Sequence, residues 1–65
     1  MTSWYGFLME FTKGTTPRRS HLTRRYSEGM VQEAIDNGYI VECGKTSDGE
    51  KMYAITPNGK SVRDD

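Results

Sequence analysis

Apolar side chains near the N-terminus recur at the spacing of a helix. Four of them stand at i, i+3, i+4 and i+7 and therefore share one helical face: Trp4, Phe7, Leu8 and Phe11. The spacing predicts a first helix over residues 3–13, capped by Ser3. Tyr5 and Met9 lie off this face, so the helix carries more apolar surface than one core-facing side needs. Its second side is therefore a candidate interface.

Two more helical patterns follow, one on each side of Ser27. Thr16 and Pro17 predict a helix over residues 17–26, because threonine caps free N–H groups and proline fits the first helical position. Ser27 is the predicted N-cap of a third helix, whose apolar stripe is Met30, Val31, Ala34 and Ile35. Gly38, preceded by asparagine, is the predicted left-handed C-cap of that helix.

The pattern then changes from helical spacing to that of strands. Residues 39–44 and 51–56 each predict a strand. The Ser-Asp-Gly sequence at 47–49 predicts the hairpin turn between them, with its glycine at positive φ. The alternation in the first strand places Cys43 on the face toward the core.

A final short helix is predicted after the hairpin, because Thr56 and Pro57 repeat the N-cap and first-turn pattern; it would end near Val62. Three helices followed by a hairpin is the element order of a winged helix-turn-helix. We therefore expect an α+β fold, a small winged helix of three helices and a two-stranded antiparallel wing, in a single domain over residues 1–65.

Size and composition exclude several classes of protein. A chain of 65 residues has a thin stability margin, and its single cysteine allows neither an internal disulfide nor a zinc site. No apolar run approaches the roughly 20 residues that span a bilayer, and the N-terminus lacks the pattern of a signal peptide. We expect a cytoplasmic protein that uses no membrane, metal or cofactor.

Charge is balanced overall but unevenly distributed. Nine Lys and Arg oppose nine Asp and Glu, so the formal net charge is zero. One stretch holds bases, a histidine and no acid: Lys13, Arg18, Arg19, His21, Arg24 and Arg25. The next stretch holds acids and no base: Glu28, Glu33, Asp36 and Glu42. Either the two blocks neutralise each other in the fold, or the first presents a basic edge to phosphates.

Three segments carry a resemblance to a known group of proteins: Ala34-Ile35-Asp36-Asn37-Gly38-Tyr39-Ile40, Asp48-Gly49 and Tyr53-Ala54-Ile55-Thr56-Pro57-Asn58-Gly59-Lys60. Together they resemble the wing region of bacterial MarR- and PadR-type transcription regulators. The resemblance spans residues 34–60 and implies a recognition helix that enters the major groove and a wing whose tip touches the DNA backbone or minor groove. The long dimerisation helices of those regulators have no counterpart here. The small size would suit a regulator from a plasmid, phage or archaeal virus.

The first functional hypothesis is therefore a winged-helix protein that binds double-stranded DNA and regulates transcription. Its candidate DNA-binding residues are Arg18, Arg19, Arg24, Arg25, Ser27, Gln32, Lys45 and Lys51. The arginines would hold phosphates beside the groove, Ser27 and Gln32 would reach base edges, and the lysines would bring the wing to the backbone. The acids of the third helix oppose this attraction, since phosphate contacts dominate DNA affinity. A homodimer would form through the first helix.

The alternative is a winged-helix module that binds a protein, as an adaptor or inhibitor of a larger complex, and does not bind DNA. Zero net charge and the acidic third helix favour it. The candidate interface is the apolar surface of the first helix: Trp4, Tyr5, Phe7, Leu8 and Met9. Aromatic and Met residues are enriched at interface cores, but a chain this small also needs its aromatics as core. Core packing is favoured for the predicted stripe, and an interface for Tyr5 and Met9.

An enzyme is not expected. Cys43 and His21 are the only pair that resembles a nucleophile and its base. Cys43 is predicted to face the core, and His21 stands among arginines that disfavour its protonation. The glycines match no nucleotide-binding pattern. Both hypotheses therefore concern binding, to DNA or to protein.

Overall fold

The fold in the computed structural model, which describes residues 4–64, is α+β, as predicted. Along the chain its elements are α1 (Trp4–Met9), a 3-10 turn (Thr12–Gly14), α2 (Arg19–Arg25), α3 (Glu28–Asp36), β1 (Ile40–Lys45), β2 (Lys51–Ile55) and α4 (Pro57–Asp64). The two strands form an antiparallel sheet. The predicted Ser3 cap lies outside the described residues.

One apolar cluster holds these elements together. Its buried members come from α1, the residue before the 3-10 turn, α2, α3 and both strands: Phe7, Leu8, Phe11, Leu22, Val31, Ala34, Ile40 and Tyr53. The predicted stripes of the first and third helices supply five of these eight side chains. The helical spacing of apolar residues therefore identified much of the core correctly.

The first helix is shorter than predicted. It ends at Met9, and the chain then enters the 3-10 turn, in which Lys13 has φ 61° and Gly14 φ 75°. Residues in this left-handed conformation cannot continue a right-handed helix. The turn keeps Phe11 in the core and reverses the chain toward Pro17.

The predicted start of the second helix is wrong. Helix α2 begins at Arg19, because Pro17 and Arg18 are extended and pair with β2 instead. The Pro17 carbonyl accepts a hydrogen bond from the Tyr53 N–H at 3.1 Å, and Arg18 forms an isolated antiparallel bridge with Met52. The hydrogen-bonding edge of β2 competes with the local cap signal of Thr16 and prevails.

The predictions for the third helix are confirmed at both ends. The Ser27 hydroxyl accepts a hydrogen bond from the Met30 N–H at 3.1 Å, which is the geometry of an N-cap. At the other end Gly38 has φ 75° and turns the chain into β1. Both predictions rest on local signals, because Ser27 and Gly38 each act on backbone groups within a few residues of themselves.

The hairpin contains a β-bulge that the sequence pattern did not predict. Glu42 pairs with Tyr53 and Gly44 pairs with Met52, so Cys43 is an extra residue in β1. The bulge interrupts the alternation of the strand, and Cys43 is exposed rather than directed into the core. The predicted turn is correct, with Gly49 at φ 87°.

The base of the hairpin joins the start of α4 at close range. The Thr56 hydroxyl lies 3.0 Å from the Tyr39 carbonyl, bonds the Gly38 carbonyl, and accepts the Gly59 N–H at 3.0 Å, which confirms Thr56 as the N-cap of α4. A side chain at Gly59 would put its Cβ 2.2 Å from the Tyr39 carbonyl oxygen. Helix α4 extends past Val62 to its end at Asp64. No helix within residues 4–64 is long and apolar enough to cross a membrane.

Candidate nucleic-acid interface

Two lysines face each other across the two strands near the tip of the hairpin. Lys45 and Lys51 are register partners, and both are exposed. The Lys51 Nζ lies 3.8 Å from Glu42 Oε1, whereas Lys45 forms no ion pair with the described carboxylates. Like charges directly opposite each other destabilise a sheet. The tip therefore places two cations side by side, although Glu42, Asp48 and Glu50 stand in the same hairpin.

The turn between these lysines is well ordered by hydrogen bonds. The Thr46 N–H donates to the Glu50 carbonyl at 2.8 Å, and the Gly49 N–H donates to the Thr46 carbonyl at 2.9 Å. The Thr46 hydroxyl accepts the Glu50 N–H at 3.1 Å and donates to the Asp48 carboxylate. This last bond lowers the pKa of Asp48. The lysines thus project from a turn that holds its shape.

The tip is also attached to the N-terminus of α2. The Ser20 N–H donates to Glu50 Oε1 at 2.6 Å, and hydrogen bonding from Ser20 lowers the pKa of Glu50. Arg18 occupies the N-cap position of α2 and provides no side-chain cap, so Glu50 supplies the acceptor from 30 residues away. A carboxylate there also interacts favourably with the helix dipole. No local signal in the sequence indicates this contact.

Arg19 has a structural role. Its Nη1 donates to the Tyr53 hydroxyl at 2.9 Å, and its Nη2 lies 3.5 Å from Glu28 Oε1. The side chain is 29% exposed. It links α2, α3 and β2, so only part of its hydrogen-bonding capacity faces solvent.

Arg25 belongs to a cluster around Glu10 that the sequence analysis missed. The Glu10 carboxylate lies 3.0 Å from His21 Nε2, 2.9 Å from the Tyr26 hydroxyl and 3.3 Å from Arg25 Nε. The hydrogen bond with His21 is the largest of several effects that lower the pKa of Glu10. Burial raises the pKa of Tyr26. The basic block is thus partly neutralised by an acid that precedes it, in addition to the acids that follow it.

The remaining candidate DNA-binding residues lie at the surface with different partners. Arg18 and Arg24 are exposed and form no ion pair among residues 4–64. Ser27 uses its hydroxyl oxygen to cap α3. Gln32 is exposed and donates to Asp36 at 3.0 Å. On α3 the exposed polar side chains other than Gln32 are acidic: Glu28, Glu33 and Asp36.

The candidate protein interface on α1 is narrower than predicted. Phe7 and Leu8 have no exposed surface, so they belong to the core and cannot contact a partner. Trp4 is half-buried and packs edge-on against Phe7 and Tyr39, with ring centroids 5.5 and 5.1 Å apart. Tyr5 and Met9 are 61% and 41% exposed. They are the exposed part of this candidate interface.

Cys43 and His21, the only pair that resembles a nucleophile and its base, form no hydrogen bond with each other in the described residues. Cys43 is exposed on β1, whereas His21 contacts Glu10. Within residues 4–64 no three His, Cys, Asp or Glu side chains come together as a metal site would require.

Neither the models of known protein families, nor curated proteins, nor solved structures match this chain. Its function must accordingly be argued from its own residues.

Proposed function

We propose that this chain is a small winged-helix protein that binds double-stranded DNA as a transcription regulator. The element order supports the proposal, since α2 and α3 are joined by two residues and followed by a hairpin. The isolated bridge between Arg18 and Met52 also joins the start of α2 to that hairpin. In such an arrangement α3 is the recognition helix and the hairpin is the wing.

The observation that carries the proposal is the opposed pair Lys45 and Lys51 at the wing tip. Two facing cations repel each other, and a DNA phosphate between them would remove that repulsion. Lysines on a hairpin also discourage edge pairing between proteins. That role, however, does not require two of them in register. Arg18, which is exposed and bridges to Met52 beside the hairpin, would add a phosphate contact there, and the exposed Arg24 would add one elsewhere on α2.

The acidic face of α3 determines the kind of binding that we propose. Glu28, Glu33 and Asp36 would repel phosphates on both sides of a major groove. Base contacts by Gln32 would first break its bond with Asp36. We therefore propose that contacts to the DNA backbone supply most of the affinity, with strong salt dependence. Tight binding would require a dimer, and the exposed Tyr5 and Met9 on α1 are the surface that we assign to it.

The decisive experiment is the anisotropy of a labelled random-sequence duplex over a salt series, with Trp4 fluorescence recorded in parallel. Affinity should fall linearly on a logarithmic salt scale, with a slope of about 0.9 per phosphate contact. The double variant Lys45→Gln/Lys51→Gln should bind more weakly and with a smaller slope. The matched control is Lys13→Gln/Lys60→Gln, which removes the same charge elsewhere and should bind nearly as the parent does. Equal affinity of the two double variants would refute the wing as the contact.

The second candidate function is a winged-helix module that binds a protein and does not bind DNA. The specific observation that favours it is the pair Tyr5 and Met9, one helical turn apart and exposed on an otherwise core-facing helix. A folded protein that fails to bind DNA at low salt would favour this candidate. A sedimentation measurement then separates self-association from a monomer that awaits a partner. Loss of self-association in Tyr5→Ser/Met9→Ser would identify the surface.

A further inference from the structure

A cavity of about 350 Å³ lies at the opposite end of β2 from the hairpin tip. It is bounded by the 3-10 turn, the end of β2 and α4. Three cations line it, one from the 3-10 turn and two from α4: Lys13, Lys60 and Arg63. Its apolar lining includes Phe11, Ala54 and Ile55. Sites for small ligands begin at about 300 Å³ and combine an apolar surface with a few convergent polar groups, as this cavity does.

Among the described residues, no acidic side chain lines this cavity. Lys13 and Lys60 form no ion pair within residues 4–64. Arg63 forms an ion pair with Asp64 through Nε at 3.0 Å, and no hydrogen bond from its two Nη atoms is found within residues 4–64. A concavity lined by one sign of charge attracts the opposite ion.

The backbone conformation of Lys13 is a second, independent argument for a ligand site in this cavity. Lys13 is the only residue other than glycine with positive φ in the described part of the chain, at 61°. This conformation is unfavourable for a lysine, and glycine or asparagine would adopt it more readily. Strained residues cluster at ligand sites, where the side chain has a task that outweighs the cost. Here the strained residue contributes one of the three cations of the cavity.

We propose that this cavity binds a small molecule that carries a phosphate group. The guanidinium of Arg63 can take two phosphate oxygens through its fork, and the two lysines can neutralise the remaining charge. The body of the ligand would pack on Ala54 and Ile55. The phosphate belongs either to a nucleoside monophosphate or to free inorganic phosphate. This site is separate from the wing and does not depend on DNA binding.

The test is a titration followed by amide proton–nitrogen correlation spectra, with adenosine monophosphate, inorganic phosphate and adenosine as probes. Saturable shifts at residues 11–15, 54–55 and 60–63 are expected with the two phosphate-bearing probes, at lower concentrations than any shifts at the wing tip. Tighter binding of the nucleotide would identify a phosphate ester as the ligand, whereas equal affinities would identify free phosphate. Adenosine that binds as well as its monophosphate would overturn the proposal, as would the absence of saturable shifts.

Two variants test the cations without depending on stability. Lys13→Gly removes a charge and also relieves the positive φ, so it should fold at least as well as the parent and bind the phosphate probes about tenfold more weakly. Lys13→Gln/Lys60→Gln should bind more weakly still, whereas Lys45→Gln/Lys51→Gln should bind as the parent does. Unchanged affinity in Lys13→Gly would contradict the proposal. Loss of DNA binding in Lys13→Gln/Lys60→Gln equal to that of the wing variant would also contradict it, because the cations would then belong to the DNA contact.

Discussion

The two ends of the hairpin use similar residues for different purposes. Each has a threonine whose hydroxyl accepts a backbone N–H, from Gly59 at the base and from Glu50 at the tip. At the base, Thr56 bonds carbonyls of the chain that leaves α3 and so joins three elements. At the tip, Thr46 bonds only within its own turn. The base therefore determines how the elements are joined, whereas the tip determines the shape of one loop.

The side chains at the base and at the tip of the hairpin also differ in charge. Ile40 pairs with Ile55 near the base, and both belong to the core or pack against it. The last pair before the turn is Lys45 with Lys51, both exposed. The hairpin thus changes from core to charged surface within its length. Substitutions at the base should alter stability, and substitutions at the tip should alter binding.

The largest effect is expected for Gly59→Ala, at the base. Its Cβ would stand 2.2 Å from the Tyr39 carbonyl oxygen, which is backbone and cannot rotate away. Either α4 or the exit from α3 must shift. We expect a loss of about 3 kcal/mol or more in unfolding free energy, measured by urea denaturation.

The matched control for this prediction is Gly29→Ala. Gly29 lies in the first turn of α3, where the nearest atom to a new Cβ is 4.0 Å away. Alanine should stabilise the helix there by about 0.5 to 1 kcal/mol. If both variants lost the same stability, the close approach at Gly59 would not be the cause.

The next largest effect is expected at the two threonines of the hairpin, Thr56 at its base and Thr46 at its tip, which can be compared directly. Thr56→Val removes the N-cap of α4 and the bonds to the Gly38 and Tyr39 carbonyls, so we expect a loss of about 1 to 2 kcal/mol. Thr46→Val removes bonds within one exposed turn and should cost about 0.5 kcal/mol. Thermal and urea denaturation of both variants measure the difference. A larger loss at Thr46 would reverse the roles assigned to base and tip.

The accuracy of sequence-based prediction follows the same division between local and distant contacts. Three helix caps were predicted correctly: Ser27, Gly38 and Thr56. The N–H groups that Ser27 and Thr56 cap lie within a few residues of them, and the positive φ of Gly38 is a conformation that glycine adopts readily. The predicted start of α2 was wrong because the Pro17 carbonyl accepts a hydrogen bond from Tyr53, which is distant in sequence. A prediction from a cap signal considers only residues that are close in sequence, so it cannot include the competing hydrogen bond between Tyr53 and Pro17.

The candidate site shows the same limitation. The charged tip was identified, because both its lysines flank a recognisable turn. The β-bulge at Cys43 was not predicted, because the register of a strand depends on its partner strand as well as on its own alternation of apolar and polar residues. The contact between Glu50 and Ser20 and the cluster around Glu10 join residues far apart in sequence. The cavity around Lys13, Lys60 and Arg63 was missed for the same reason.

A smaller, pH-dependent effect is expected for Glu50→Gln. The pKa of Glu50 is lowered in the folded state from its ordinary value of 4.5, mainly by hydrogen bonds from Ser20. Its contribution to stability is therefore complete above the unfolded pKa and is lost as pH falls through the folded pKa. The variant should be less stable than the parent at neutral pH, and the difference should vanish in acid.

Urea denaturation at a series of pH values measures this effect. Glu33→Gln, which removes one negative charge from α3 at a side chain without a hydrogen bond in the described structure, is the control for overall charge. A stability difference between the parent and Glu50→Gln that stays constant into acid would show that the carboxylate charge is not what attaches the tip to α2.

The smallest effect on stability, and one of opposite sign, is expected for Lys45→Thr. The change removes one of two facing cations and introduces a residue that favours strands, so the unfolding free energy should rise, by at most about 0.5 kcal/mol. DNA affinity should fall at the same time, because one phosphate contact is lost. A residue that lowers stability while it supports binding is what a functional tip on a structural hairpin requires. If Lys45→Thr lowered stability and left DNA affinity unchanged, the lysine would serve the fold, and the contrast between the two ends of the hairpin would not hold.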